Sequence, residues 1–473
     1  MGKRMFAKSK TRMSFNGGIV PYKGIRLARG TIEVERGQSV PYPSSMRLPR
    51  RSFLRKAAVA ALGFTIIPRH VLGRGFIPPS ETLNHVIVGC GGISAMHSDP
   101  RMTGANRIVA ICDVDSERVK RKLEKIKTAG GGNPMQAEDF RDVIAHADAD
   151  VVHVCTPPHW HGVIAAAAAR RGKAVWCEKP LTRTIGEGLA LSRVVQQTGV
   201  PFRVNTWFRL NRTNYYGVGP AREIRRVVAS GVLGGPLTVR LAPVGGIAWK
   251  VNLWTGRPEL KPVPVPANLN WDLYCGPSQL IPYHPHRAHG SFRGYWNFDQ
   301  GGLGDMGQHF LDPVQYFLGK DNEFPVTVEC DAPPQDAMAC GVWKTVTLTY
   351  KDGTRIILES ELADRNPDNP FMEGPNGKLF AGMRGSNPAL LRKAAEFPLP
   401  EYQEDDFDIC AREKRPFGYG VNEAFHSSTL VNLAGLSVRL GRKLTFKSDG
   451  SGFVGDAQAD RLHSPVMRGN WSI

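Results

Sequence analysis

What the sequence lacks narrows it first. Eight cysteines, Cys90, Cys112, Cys155, Cys177, Cys275, Cys330, Cys340 and Cys410, are scattered over 473 residues, and none forms a C-x-x-C pair. That spacing excludes a zinc ribbon and a disulfide framework, and the thiols read as small buried residues. No metal site is expected. No apolar run approaches the roughly 20 residues that an ordinary membrane-spanning helix requires. The formal charge is +18, yet residues 1–75 hold 16 Lys/Arg against 2 Asp/Glu, and the rest of the chain holds 45 against 41. The body therefore lacks a charge excess, and with no zinc-finger, homeodomain or RNA-binding signature no nucleic-acid partner is expected.

The basic excess belongs to a leader. Residues 1–45 are rich in Gly and Ser and without period, and read either as disordered or as an extension upstream of a start at Met46. Residues 46–75 contain Arg50-Arg51-Ser52-Phe53-Leu54 and an apolar, Ala-rich run from Ala57 to Ile67. Paired arginines before a short, mildly apolar run resemble a twin-arginine export signal, which implies the twin-arginine export machinery as a partner. A basic amphipathic leader that stays in the cytoplasm is the plainer alternative. On the first reading the body is exported, either periplasmic or anchored on the outer side of the inner membrane.

From residue 83 to 207 strands and helices alternate. His85-Val86-Ile87-Val88 leads into Gly89-Cys90-Gly91-Gly92-Ile93-Ser94. A buried strand entering a glycine turn suits a dinucleotide loop: Gly89 permits the turn, and Gly91 lets a pyrophosphate approach the next helix. The third position of G-x-G-x-x-G is Ser94, a departure. Strand two, Arg107–Cys112, ends at Asp113, 22 residues beyond Gly91. An acidic residue there holds the ribose hydroxyls and favours NAD; Arg118 leaves NADP open. The alternative for Asp113 is a cap for the helix from Ser116. Further strands end at Cys155, Cys177 and Asn205, with helices over 162–169 and 184–199. The expected fold is α/β, with an N-terminal doubly wound parallel sheet.

Residues 208–473 read as a second, α+β domain on an open, mostly antiparallel sheet. Strands are expected at Leu237–Leu241, Val326–Cys330, Trp343–Tyr350 and Arg355–Ser360, with a hairpin turn at Lys351-Asp352-Gly353-Thr354. Helices are expected at Ala221–Ser230, from the glycine-rich run at 301–307 to Leu318, and at His426–Leu440. Residues 245–300 are long, aperiodic and rich in Pro and aromatics, a composition that marks a functional segment. Residues 361–418 read as irregular.

Several residues carry chemistry at the ligand edge. Lys179, at a strand end, suits donation to a substrate hydroxyl. Asp305 and His309, four apart, share a helix face, where the carboxylate raises the basicity of the imidazole and fixes its tautomer. His159 and His161 either border a nicotinamide or pack the strand-end loop. Asn205 points toward the same cleft.

Five motifs stand in order: Gly89-Cys90-Gly91-Gly92-Ile93, Cys112-Asp113-Val114-Asp115, Thr156-Pro157-Pro158-His159-Trp160-His161, Glu178-Lys179-Pro180 and Gly304-Asp305-Met306-Gly307-Gln308-His309. With Trp271–Pro277 and Leu440–Leu444 they resemble the glucose–fructose oxidoreductase / inositol dehydrogenase (Gfo/Idh/MocA) family, and with the leader its exported subgroup. Arg203-Val204-Asn205 departs from the pattern, where many relatives carry Gln and Gly. The resemblance implies a Rossmann domain, a second domain whose sheet covers the nicotinamide, and hydride transfer at a carbon of a sugar, polyol or glycoside. It implies Lys179, Asp305 and His309 as the catalytic set: His309 takes the hydroxyl proton, Asp305 orients His309, and Lys179 holds the hydroxyl. Gly89, Gly91, Gly92, Ile93, Asp113, Thr156, Pro157, His159, His161, Glu178 and Asn205 are the corresponding cofactor residues. The cofactor is NAD, with NADP open, tightly held because an exported enzyme has poor access to fresh nucleotide. A carbohydrate substrate and a homo-oligomer are implied. Two alternatives remain: a glycoside-cleaving enzyme that oxidises transiently and returns the hydride, and a non-catalytic sugar-binding protein with a retained Rossmann fold.

Overall fold

Short Val- and Ile-rich runs, buried on both faces, build a parallel sheet in the first half of the body. The structure, a computed structural model, describes residues 81–99, 106–146, 148–206, 208–209, 214–243, 247–364, 366, 368–401 and 406–473. The leader readings at 1–45 and 46–75 lie outside the described residues.

The first domain runs β1 (Asn84–Val88), α1 (Ser94–His97), β2 (Arg107–Cys112), α2 (Ser116–Thr128), β3 (Met135–Ala137), α3 (Phe140–Ile144), β4 (Val151–Val154), α4 (His161–Arg170), β5 (Ala174–Cys177), α5 (Ile185–Thr198) and β6 (Phe202–Val204). The sheet order is β3-β2-β1-β4-β5-β6, with every pairing parallel. This is a doubly wound sheet that reverses direction between β1 and β4, and ligands bind at such a switch. Strand β3 has no sequence counterpart above, because its three residues, two of them exposed, show no alternation.

The second domain adds β7 (Asn214–Tyr215), β8 (Gly219–Pro220), α6 (Ala221–Ala229), β9 (Thr238–Leu241), α7 (Trp271–Cys275), α8 (Gly301–Leu318), β10 (Thr327–Asp331), β11 (Thr345–Thr349), β12 (Arg355–Glu359), β13 (Met372–Gly374), β14 (Gly377–Phe380), β15 (Arg384–Gly385), α9 (Pro388–Ala395), α10 (Phe407–Glu413), α11 (Val421–Leu440), β16 (Leu444–Thr445) and α12 (Ala457–His463). Eight strands form one sheet in the order β15-β14-β13-β9-β12-β11-β10-β16. Only the β9–β12 pairing in it is parallel. The stretch expected to be irregular, 361–418, holds β13, β14, β15, α9 and α10. These pieces are short and broken by Gly374, Gly377 and Gly385, so no period develops.

Helix α11 begins at Val421, ahead of the expected His426, because Glu423 Oε2 accepts the Gly420 N–H at 3.0 Å and caps the first turn. Sixteen of its 20 residues are buried, and it packs against both α8 and α5. It is thus the central post joining the two sheets. Gln308, fully buried on α8, locks this joint: its Oε1 accepts the Leu181 N–H at 2.8 Å and its Nε2 donates to Ala424 O at 2.9 Å. The segment expected to be aperiodic, described from residue 247 to 300, carries α7 and two 3₁₀ turns over its own aromatic core of Trp271, Tyr274, Tyr283, Tyr295 and Phe298. No helix among the described residues is long and apolar enough to cross a membrane.

Candidate active site

The glycine turn after β1 is shaped by backbone contact. Gly89 has φ +95°, and a Cβ there would sit 2.6 Å from the carbonyl carbon of Cys155. Only glycine lets β1 end against β4 in this way. A Cβ on Gly92 would meet nothing within 4 Å, so that position opens into space. Ser94 is fully buried, and its hydroxyl donates to Gly91 O at 2.6 Å. The departure from Gly or Ala therefore closes the loop on its own helix start.

That loop floors a cavity of about 370 Å³. Gly89, Gly91, Gly92, Ile93, Asp113, Thr156 and Pro157 all line it, as does Arg118. Asp113 is not a helix cap; Asp115 fills that role, accepting the Glu117 N–H at 3.0 Å. Asp113 instead accepts the Cys90 N–H at 2.7 Å and the Asp115 N–H at 2.9 Å, which ties the end of β2 to the glycine loop. Burial pushes its carboxyl above the usual range, and those two N–H groups oppose the rise. Each oxygen keeps lone pairs for ribose hydroxyls. The Thr156 hydroxyl, buried and without a hydrogen-bond partner among the described residues, lies in the same wall. A glycine floor, an acid at the end of β2 and an unsatisfied hydroxyl fit a dinucleotide. The far wall comes from the 245–300 segment: Leu273, Tyr274, His289, Phe292 and Arg293.

Four expected cofactor residues do not line this cavity. His159, 1% exposed, bonds Tyr274 O through Nε2 at 2.8 Å, and burial lowers its pKa to about 3. His161 bridges Pro180 O at 2.7 Å and Thr156 O at 2.8 Å, stapling two strand-end loops. Of the two readings for these histidines, packing is the one realised. Glu178 and Asn205 turn inward toward each other: Glu178 Oε1 accepts from Asn205 Nδ2 and from His97 Nε2, both at 2.7 Å. His97 continues through His153 (Nδ1 to Nδ1, 2.7 Å) to His85 (2.9 Å), a buried chain of three imidazoles. A strand-end position does not reveal which way a side chain turns, and that was the missing information.

Lys179, Asp305 and His309 are brought together. Lys179 Nζ donates to the backbone oxygen of Asp305 and lies 3.4 Å from Asp305 Oδ1. Asp305 also accepts from Arg293 Nε at 2.9 Å, Lys250 Nζ at 3.2 Å and Trp254 Nε1 at 2.7 Å. Burial alone would raise this carboxyl, but Lys179, Arg293 and Lys250 hold it well below the usual carboxylate range. His309, 1% exposed, is driven well below the ordinary imidazole range by burial and by Lys179, with Asp305 pulling the other way. The expected role of Asp305 thus changes. Its oxygens serve three cations and an indole, and it acts on His309 through charge, without making the imidazole more basic than usual. Asp299, also buried, has its pKa raised to about 7, chiefly by burial.

Arg293 joins the two regions, since it lines the cavity and donates to Asp305. Lys250, Trp254 and Arg293 were not foreseen; the only signal was the length and composition of their segment. None of the eight cysteines is in a disulfide, seven of them are buried, and among the described residues no cluster of three or more His, Cys, Asp or Glu is arranged to hold a metal.

The chain is similar to known proteins in sequence and in fold. Glycosyl hydrolase family 109 protein 2 of Shewanella sp. (strain ANA-3) is 29% identical over 160 residues, which are 29% of this chain and 35% of that protein. D-apiose dehydrogenase of Rhizobium rhizogenes (strain K84) is 25% identical over 180 residues, 38% of this chain and 47% of that one. The chain thus spans a third to a half of the length of these curated relatives. The WlbA dehydrogenase of Bordetella pertussis, solved with NADH and UDP-GlcNAcA, superposes with a TM-score of 0.50 at 18% identity, over 77% of this chain and 98% of that one, and so shares its fold. Residues 83–206 match the family model described as "Oxidoreductase family, NAD-binding Rossmann fold", and residues 218–473 match "Oxidoreductase family, C-terminal alpha/beta domain". Those two matches cover nearly all of the body, and the chain belongs to the Gfo/Idh/MocA oxidoreductase family.

Proposed function

We propose that this protein is an NAD-dependent oxidoreductase moving a hydride between nicotinamide and a hydroxyl-bearing carbon of a sugar, polyol or glycoside. The observation that carries the reading is the junction at Arg293, with a dinucleotide-shaped cavity on one side and Lys179, Asp305 and His309 on the other. NAD, when bound, supplies the hydride acceptor. Lys179 donates to the substrate oxygen and offsets the negative charge that grows on it. His309, held neutral, has a lone pair with which to accept the hydroxyl proton. Asp305 fixes Lys179 and balances the surrounding cations. Asp113 favours NAD, while Arg118 in the cavity wall keeps NADP as the second nucleotide to try.

Relatives named D-apiose dehydrogenase and levoglucosan dehydrogenase support a sugar substrate. Relatives named glycosyl hydrolase family 109 support a second reading, in which oxidation is transient, a substituent is eliminated and the hydride returns. The test is a panel of sugars, polyols and aryl glycosides with NAD and then NADP. Net growth of the reduced-nicotinamide band supports the first reading, and release of the aglycone without net reduction supports the second. Binding without either leaves only a sugar-binding protein.

The proposal extends to location and assembly. Arg50-Arg51 and the apolar run from Ala57 to Ile67 support twin-arginine export of a folded body with its nucleotide tightly held, and the family resemblance supports a homo-oligomer. Replacing both arginines by lysine then leaves the protein in the cytoplasm, and sedimentation of the purified chain measures assembly.

A further inference from the structure

A second cavity, of about 250 Å³, opens between the start of α5, the start of α8 and the last turns of α11. Two guanidinium groups face it, Arg183 and Arg439. Arg183 is compensated by Glu187 at 3.2 Å, yet its Nε is buried and without a hydrogen-bond partner among the described residues. Arg439 lies 5.4 Å from the Trp296 ring centre, and no carboxylate pairs with it among the described residues. Arg439 is half-buried and its guanidinium donates to Ala337 O at 3.4 Å, so its charge has no counter-ion among the described residues, an arrangement that invites an anion.

The amides of the wall define the rest of the ligand. Gln300 Nε2 donates to Arg183 O at 2.9 Å, which fixes which end of that amide carries nitrogen. The same nitrogen donates to Asn432 Oδ1, so Asn432 must turn its Nδ2 elsewhere. Asn432 is 2% exposed, lines the cavity, and its Nδ2 has no partner among the described residues. It is therefore a spare donor beside two arginines. Gln300 Oε1 is a spare acceptor, resting where a Cβ on Gly435 would be 1.7 Å away. Gln300 is also the residue from which α8 starts, so the positive end of that helix dipole begins at this wall.

We propose that this cavity is a binding site for a small hydroxy acid, its carboxylate held by Arg439, Arg183 Nε and Asn432 Nδ2 and its hydroxyl donating to Gln300 Oε1. It is distinct from the dinucleotide cavity, with which it shares no lining residue. It adjoins Gln300, the residue that precedes the helix carrying Asp305 and His309.

The test is calorimetric titration of the full chain, with NAD present in excess, by D-glycerate, propanoate and glycerol at matched ionic strength. Saturable binding of glycerate is expected, with propanoate weaker by about fivefold for the lost hydrogen bond and glycerol weaker still. Arg439→Met is expected to weaken glycerate by about tenfold or more, as removal of a charged hydrogen bond does. Asn432→Asp, which keeps the acceptor for Gln300 and replaces the spare donor with an anion, provides a second variant. Unchanged NAD affinity and melting temperature certify the fold of each. No saturable glycerate binding, or binding that both variants leave intact, overturns the site. Equal affinity for propanoate and glycerate overturns the hydroxyl assignment.

Discussion

The two ends of the cleft are built by opposite means. The dinucleotide end is assembled largely from backbone: a glycine that tolerates φ +95°, a glycine turn that lines the cavity, and an acid tying the loop to β2. It keeps a hydroxyl with no hydrogen-bond partner among the described residues, as a ligand site does. The reaction end is assembled from side chains, with four donors converging on Asp305. The first end needs particular residues at particular chain positions. The second needs particular charges in space and draws them from distant segments. Substitutions should therefore separate nucleotide binding from turnover.

The largest separation is expected at Lys179. Lys179→Met leaves Asp305 with Arg293, Lys250 and Trp254, so the fold survives, while turnover drops by about 10² to 10⁴. NAD affinity by fluorescence titration should stay within about threefold, less than one ordinary hydrogen bond is worth. The converse is Gly89→Ala, which forces a side chain into a left-handed backbone against Cys155. It should cost about 1–3 kcal/mol of stability and weaken NAD, read by melting temperature and the same titration.

A third experiment uses acid. The imidazoles of His85 and His159 titrate near 6.5 when unfolded and near 4 and 3 when folded, both lowered chiefly by burial. Below pH 6.5 the unfolded chain binds more protons, so stability, complete above that pH, falls as pH drops toward those folded values. The slope is at most about 1.4 kcal/mol per pH unit for each group, measured by urea unfolding at stepped pH, and His85→Gln should remove its share. The smallest effect is expected from Trp254→Phe, which deletes one donor to Asp305 and should lower kcat by about fivefold with NAD affinity unchanged.

This contrast explains what the sequence could disclose. The parallel sheet, the glycine loop and Asp113 were legible because strand burial and turn geometry impose residue types locally. Lys179, Asp305 and His309 were legible through ordered motifs. Lys250, Trp254 and Arg293 were not, since they reach Asp305 from an aperiodic segment 12 to 55 positions away in the chain. His159, His161, Glu178 and Asn205 stand at the ligand edge in sequence, yet their side chains bond inward, a direction that spacing does not encode. Strands β13 to β15 were hidden by their brevity.

The central claim is that one cavity holds the nucleotide and that His309 beside it takes the proton. Single-turnover mixing with an oxidisable sugar from the panel tests it, following nucleotide binding by tryptophan fluorescence and reduction by the nicotinamide band, in the parent and in His309→Asn. Both proteins should bind NAD with similar affinity, and only the parent should reduce it at a measurable rate. Failure of the parent to bind NAD, or reduction in His309→Asn at the parent rate, would contradict the account.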